Sequence, residues 1–373
     1  MTIIRRIYCG DVVFYDALAD TQQYCRLTAA QVLTMGAKNF DNIIITRNGV
    51  IRKRTGSVHA IKDVHIKAYS FVHVTDIMRN GRFYGDKASK FGIDYVGAHW
   101  IVKSNEKNNL MPWSEYIAST FIARLGIPCQ EVKLGLYKGE VVVLMKDFTK
   151  PGQTLHTYEE TRQSSVDTDL KDKDYTYRDV THILEQHIKL ALDKKEEMLR
   201  QFWTMFLCDA ILGNRDRHCG NWGYIATGDN YAPAPIYDNG GSLFPDVLKQ
   251  LHNYGKSDVR YEFMYARVFT FPASVFKMEQ GIAGRSKRTN FYEMLGHTDF
   301  DPVFTACTQE MRAKYTAEDI YRLMKAIVSP LPITAVLKRF YIEVVTLRYA
   351  CIIERRDFDT VFERVEKSLW QRK

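Results

Sequence analysis

The chain has 373 residues, 46% of them apolar and 13% aromatic, enough for a substantial core and, at roughly 100–200 residues per domain, for two or three domains. No run of about 18 apolar residues occurs, and the N-terminal MTIIRRIYCGDVVFYD has no apolar stretch long enough for a signal peptide, so neither a membrane span nor a secretory leader is expected. The formal net charge of +8 suits an anionic partner such as a nucleotide, and the cysteines at 9, 25, 129, 208, 219, 307 and 351 form no C-x-x-C pair, which argues against a disulfide framework or zinc site and for a reducing cytoplasm.

Residues 1–80 are mixed in character. IIITRNGVIRKR (43–54) alternates around Asn48-Gly49, a strong hairpin signal, with Arg52-Lys53-Arg54 as its solvated end. FYGDKASKFGIDYVGAHWIVK (83–103) reads as a loop and two strands turning at Val96-Gly97, the second strand ending at Lys103. PWSEYIASTFIARLGIP (112–128) spaces Trp113, Tyr116, Ile117, Thr120, Phe121, Arg124 and Leu125 as a helix, with Pro112 in its first turn and Gly126 at its end. EVKLGLYKGEVVVLMKDF (131–148) is a second strand pair turning at Lys138-Gly139. Residues 149–180, with SSVDTDLKDKD, read as a mobile polar insertion.

Beyond it the chain is mostly helical. Helices are expected over 194–213, over 316–330 with a capping pattern at Thr316 and Asp319, and over about 334–355. The expected organisation is an N-terminal region at 1–80 with a β-hairpin, a sheet-rich lobe at 81–148 and a mostly helical lobe at 149–373.

Three signals then fall in chain order. Lys103 ends a strand, and Glu115 opens the next helix; a lysine held by a carboxylate beside a sheet can grip phosphate oxygens. In NRDRHCGN, Asp216 and Asn221 stand five residues apart. In APIYDNGGSLFP, Asp238 follows a short apolar strand and precedes Asn239-Gly240-Gly241. Phosphoryl transfer needs such parts: a hard Mg²⁺ takes oxygen ligands, a carboxylate orients the attacking hydroxyl, and a cation holds the nucleotide phosphates. Alone, each residue has an ordinary alternative: a strand-end lysine, a first-turn glutamate, turn-forming Asp and Asn.

The order D-R-H-x-x-N resembles the phosphoinositide 3-/4-kinase group and the HipA-like serine/threonine kinases. FWTMFLCDAILGNRDRHCGNWGYI with APAPIYDNGGSLFP is similar to the HipA-like C-terminal domain. WSEYIASTFIARLGIPCQEVKLGLY and VVVLMKDF are similar to the half before it. The resemblance covers about 83–250 and implies an α+β, bilobal protein-kinase-like fold that uses ATP and Mg²⁺ to phosphorylate a protein Ser/Thr hydroxyl. By position it implies that Lys103, supported by Glu115, contacts phosphates, that Asp216 is the base, and that Asn221 and Asp238 hold magnesium. Met145, Lys146, Asp147 and Phe148 would form the hinge that meets adenine, and His218 would support the catalytic loop.

The chain departs from the pattern in two places. Residues 1–80 match no part of the family, and no G-x-G-x-x-G occurs; the candidate phosphate loop is GDKASKFG (85–92). There the resemblance implies self-phosphorylation of a serine, for which Ser89 between Lys87 and Lys90 is the candidate. An antitoxin-like partner fits this family, with nucleic acid reached only through such a complex; no membrane partner is expected, because the sequence shows no amphipathic basic helix. The alternatives are a lipid kinase of the phosphoinositide type and a non-catalytic DNA- or partner-binding regulator.

Overall fold

The computed structural model describes residues 2–9, 12–18, 24–28, 32, 43–45, 51–53, 62–66, 69–82, 90–104, 110–165, 175–186, 192–247, 250–251, 257–278, 287–296 and 301–370. The N-terminal region contains β1 (Thr2–Cys9), β2 (Val12–Leu18), β3 (Tyr24–Thr28), β4 (Ile43–Ile45), β5 (Ile51–Lys53) and β6 (Lys62–Ile66). β3, β2 and β1 form an antiparallel meander, and β6 adds in parallel to the free edge of β1. β4 and β5 pair antiparallel, with the turn between them outside the described residues. Ile7, Cys9, Val12 and Phe14 are buried in the same core as Phe71 and Trp113.

The next sheet is built from β7 (Val72–His73), β8 (Lys90–Tyr95), β9 (Ala98–Lys103), β10 (Val132–Tyr137) and β11 (Glu140–Lys146), in the order β7-β10-β11-β9-β8. Between β9 and β10 runs α1 (Met111–Arg124). The period of two along a strand decides which way Lys103 faces. Trp100, Val102, Val142 and Leu144 enter one apolar cluster with Val72, Val74 and Ile93. Lys103 therefore lies on the opposite face, opposite Val143 in the β9–β11 register, on the side of Leu134 and Leu136, which join the α1 core.

The helical lobe follows: β12 (Gln153–Thr157), α2 (Tyr158–Ser165), β13 (Tyr175–Thr176), α3 (Tyr177–Gln186), α4 (Leu192–Leu212), β14 (Gly223–Thr227), β15 (Asn230–Pro233), α5 (Ser257–Phe269), β16 (Ala273–Met278), β17 (Lys287–Asn290), α6 (Phe291–Gly296), α7 (Pro302–Lys314), α8 (Ala317–Val328), α9 (Ala335–Arg348) and α10 (Phe358–Trp370). A π-helical turn, Tyr349–Ile353, continues α9. α4 is its centre: Phe202, Trp203 and Phe206 meet Phe276, and Phe202 also meets Tyr175 and Trp222. Thr316 and Asp319 close a reciprocal capping box at the start of α8.

The segment expected as a mobile insertion, 149–180, is different. β12 pairs with β14 along its whole length, and α2 starts on a Thr157–Glu160 exchange of backbone and side-chain hydrogen bonds. Tyr158, buried, stacks on Trp222 at 4.2 Å. Polar composition hid this because most of its apolar anchors, Tyr158, Tyr175 and Val180, are spread thinly between charges. Residues 166–174 lie outside the described residues.

Candidate active site

α4 runs into the polar loop because its last turn carries the partner that the loop needs. Gly213 ends the helix at φ +65°, where a Cβ would also press on the Phe244 ring at 3.1 Å. Asn214 folds back, its N–H donating to the Asp209 carbonyl at 3.0 Å and its Nδ2 to Asp209 Oδ1 at 2.9 Å. Arg217 then takes the Asp209 carboxylate bidentately, Nε to Oδ2 at 2.9 Å and Nη2 to Oδ1 at 3.0 Å. Both residues are buried. Burial works against the guanidinium charge, and Asp209 outweighs it, so Arg217 is held above its usual range. Its remaining donors go to the Asn221 carbonyl at 2.8 Å, the Tyr237 carbonyl at 2.5 Å and Asn239 Oδ1 at 2.6 Å. One buried arginine thus ties the 213–221 loop to the 237–239 loop.

The loop itself is fixed from within. The Asp216 N–H donates to Asn214 Oδ1 at 3.0 Å, and Asn221 Nδ2 donates to the Asp216 carbonyl at 2.8 Å. Asp216 is exposed to solvent. His218 Nδ1 accepts from the Gly220 N–H at 3.1 Å and so caps the short 3₁₀ turn Cys219–Asn221. Its place in the structure is that of a cap.

The strand lysine meets both carboxylates assigned near it. Lys103 Nζ lies 2.5 Å from Asp238 Oδ1 and 3.9 Å from Glu115 Oε2. Glu115 is fully buried; its Oε1 accepts from the Asn239 N–H at 2.8 Å and from Ser119 Oγ, one helical turn on, at 3.2 Å. Glu115 Oε2 has no hydrogen-bond partner. Burial pushes the Glu115 carboxyl up, with Lys103 pulling the other way. For Asp238, burial is outweighed by Lys103 and Lys90, and the carboxyl is held well below the usual range. Lys103 is in turn raised, its desolvation offset by Asp238 and Glu115. Asp238 itself adopts φ +53°, a left-handed conformation that a non-glycine residue holds only at a cost of order 1 kcal/mol.

The two loops touch. A Cβ at Gly241 would lie 2.7 Å from both Asn214 Oδ1 and Asp216 Cβ, so only glycine lets the 237–241 segment approach this closely. Lys103, Glu115 and Asp238 are therefore brought together, and Asp216 and Asn221 stand on the loop against them.

The expected hinge, Met145 to Phe148, is less uniform. Met145 sits inside the ladder between Val132 and Ile101. The Lys146 N–H donates to the Glu131 carbonyl at 2.8 Å, and its carbonyl accepts from Gln130 Nε2 at 2.9 Å. The Asp147 N–H donates to the His99 carbonyl at 2.9 Å, and its carboxylate accepts from Thr149. Phe148 is the second residue past the end of β11, its ring 5.7 Å from that of Tyr237, which precedes Asp238. Ser89 and most of the candidate phosphate loop lie outside the described residues; Lys90 to Gly92, which were assigned to that loop, belong to β8.

Sequence reasoning gave no role to Asp209, Ser119 or Asn239. The available signal was Asp209, a lone charge in the apolar stretch FLCDAIL.

Residues 87–262 match the HipA-like C-terminal domain family. Over 233 residues, 58% of this chain and 67% of the relative, the chain is 30% identical to the serine/threonine-protein kinase CtkA of Helicobacter pylori. The chain belongs to the HipA-like family. The crystal structure of the proinflammatory kinase CtkA from Helicobacter pylori aligns with a TM-score of 0.64 at 25% identity, covering 79% of this chain and 98% of that one. A HipA, HipB and operator DNA complex from Shewanella oneidensis aligns at 0.45 and 12% identity over 77% of this chain and 69% of that one, too slight a likeness to carry an argument. The fold is thus bilobal and protein-kinase-like, and this HipA-like chain is a serine/threonine kinase. No helix among the described residues is long and apolar enough to cross a membrane.

Proposed function

We propose that this HipA-like kinase moves the γ-phosphoryl group of ATP, with Mg²⁺, to a serine or threonine hydroxyl of a protein, and that Lys103, Asp216, Asn221 and Asp238 carry the reaction. The observation that carries the reading is the contact of Lys103 with Asp238 at 2.5 Å, beside the Glu115 oxygen that has no hydrogen-bond partner. Lys103 covers a carboxylate oxygen that a divalent cation would also claim. Glu115 Oε2, 3.9 Å from Nζ, is an acceptor within reach if Lys103 gives that oxygen up.

The donor set suits magnesium. Among the described residues no cluster of three or more His, Cys, Asp and Glu could cage a metal. Mg²⁺ asks for less: one or two protein oxygens, with waters and substrate phosphates completing its shell. Asp238 supplies one carboxylate. Asn221 spends its Nδ2 on the Asp216 carbonyl, so its Oδ1 is the atom left for a cation. When bound, the ion neutralises charge that builds on the phosphoryl group.

The chain's own residues do the rest. Lys103 binds phosphate oxygens. Asp216, exposed and oriented by Asn214 and Asn221, takes the proton of the acceptor hydroxyl as its oxygen bonds to the γ-phosphorus and the bond to the bridging oxygen breaks. His218 shapes the loop and moves no proton. Adenine meets the chain at Phe148, because the Lys146 N–H and carbonyl and the Asp147 N–H are already hydrogen-bonded. The acceptor is read as protein because the curated relative is a serine/threonine-protein kinase.

The test is transfer from γ-labelled ATP to protein or to phosphoinositide vesicles, with and without Mg²⁺. Asp216→Asn should lower turnover by several orders of magnitude with ATP affinity little changed, and Asp238→Asn should abolish Mg²⁺-dependent transfer in a folded protein. Label on lipid alone, or near-parent turnover by a folded Asp238→Asn protein, would sink the reading.

A further inference from the structure

Asn239 follows Asp238 and enters none of the steps above, yet it is completely buried where three parts of the site meet. On the α1 side its Nδ2 donates to Ser119 Oγ at 2.9 Å and approaches Cys129 Sγ at 3.6 Å. On the catalytic-loop side its Oδ1 accepts from Arg217 Nη2 at 2.6 Å. Its backbone N–H donates to Glu115 Oε1 at 2.8 Å. A primary amide presents a donor at one end and an acceptor at the other. Neither partner can drift: Arg217 is clamped on Asp209, and Ser119 also donates to Glu115 Oε1.

We infer that Asn239 is a positioning residue, fixing the Asp238 carboxylate against the Lys103–Glu115 pair and the Asp216 loop at once. The inference rests on the reading of Asp238 as the magnesium carboxylate. Asp238 keeps a left-handed backbone, a conformation that persists only where the surroundings over-determine it. Asn239 is the residue placed to do so, since its main chain and both ends of its side chain are anchored. In kinases with phenylalanine at this position, the packing of an apolar ring sets the active or inactive arrangement. Here rotation of the loop would take the Asn239 N–H from Glu115 Oε1, its Nδ2 from the Ser119 hydroxyl and its Oδ1 from one Arg217 donor, three buried hydrogen bonds lost at once, and such losses are costly in the core. The Asp238 loop is therefore held in place before nucleotide arrives.

Asn239→Leu keeps the forked shape of the side chain, in a somewhat larger volume, and removes both polar ends. The expected result is a folded protein whose kcat falls about 10–100-fold, the usual loss when a group supporting a metal ligand is removed. The Mg²⁺ concentration for half-maximal rate should rise, while KM for ATP stays within about threefold of the parent. Ser119→Ala cuts only the α1 anchor and should shift the same two quantities less, with the double variant short of the product of the single effects. A folded Asn239→Leu protein with parent kcat and parent Mg²⁺ dependence overturns the inference. If Asn239→Leu does not fold, Ser119→Ala decides: a raised Mg²⁺ midpoint supports it, and an unchanged one overturns it. A parent enzyme with no Mg²⁺ dependence overturns the metal reading itself, a failure seen before any variant is made.

Discussion

A single hydrogen at Gly241 sets the distance between the two loops that face each other in the cleft. A Cβ there would stand 2.7 Å from Asn214 Oδ1 and from Asp216 Cβ, and neither atom can yield easily: Asn214 is bonded to Asp209, and Asp216 is bonded through its N–H to Asn214. Gly241→Ala is therefore expected to lower stability by about 1–3 kcal/mol, the usual range for overpacking. It should lower kcat by roughly 10²-fold, because a shift near 1 Å between reacting groups can cost that much. Steady-state kinetics at saturating ATP with a denaturant titration would check both; parent turnover would show that the loops separate without consequence. At this scale the order of Lys103, Glu115, Asp216, Asn221 and Asp238 was legible, since motif spacing along a chain survives without a structure. The connectors Asp209, Ser119 and Asn239 were not. Each is an ordinary polar residue until folding brings its partner from a distant stretch of the sequence.

At the scale of elements, helix ends deserve the same accounting, and Arg348 closes two of them. It is buried; its Nε donates to the Ala210 carbonyl in the last turn of α4 at 2.8 Å. Its Nη1 donates to the Phe271 carbonyl at 2.9 Å and to the Arg267 carbonyl, at and just beyond the end of α5. Among the described residues no carboxylate pairs with it, and burial pushes its pKa down. The positive charge is supported instead by terminal carbonyls, where the helix dipole is negative. Arg348→Leu is expected to cost about 3 kcal/mol, because hydrogen bonds to a charged group contribute about 1.5–3 kcal/mol each and the carbonyls stay buried. Arg348→Lys should recover little, since a point charge cannot span two helix ends as a planar fork does. Urea midpoints for the two variants test this; recovery by lysine would show that charge alone matters. Most helices and the paired strands were readable from periodicity, capping and turn residues, as Thr316 with Asp319 shows. The 149–180 segment was not, because its order comes from pairing with β14 and from Tyr158 stacking on Trp222, both supplied by a stretch more than sixty residues away.

At the scale of the whole molecule, the N-terminal sheet of β1, β2, β3 and β6 lies entirely ahead of residue 87, where the family match begins. It is nevertheless joined to both lobes. Phe14 meets Phe71 at 6.0 Å, and Phe71 meets Trp113 in α1 at 6.2 Å, two residues before Glu115. Tyr69 meets Tyr116 on the other side of Glu115 at 5.6 Å. Arg26, paired with Asp16 at 2.6 Å, donates to the Ile333 carbonyl just ahead of α9 at 2.8 Å. No local signal announced this, because the β1–β6 pairing is parallel and non-local and the packing partners are aromatic residues outside the sheet. An appended domain with its own core would melt separately; a sheet that shares its core with α1 should melt with the kinase. Phe14→Ala is expected to cost about 3–5 kcal/mol, the range for removing a buried phenylalanine, and to lower the midpoint of one cooperative transition. Because the cavity opens beside Phe71, which packs on Trp113 of the helix that carries Glu115, kcat measured well below that midpoint should also fall. Circular dichroism and intrinsic fluorescence followed through the same urea titration, beside kinetics at low temperature, decide the matter. Two separate transitions with unchanged kcat would show that the N-terminal sheet merely rides on the kinase.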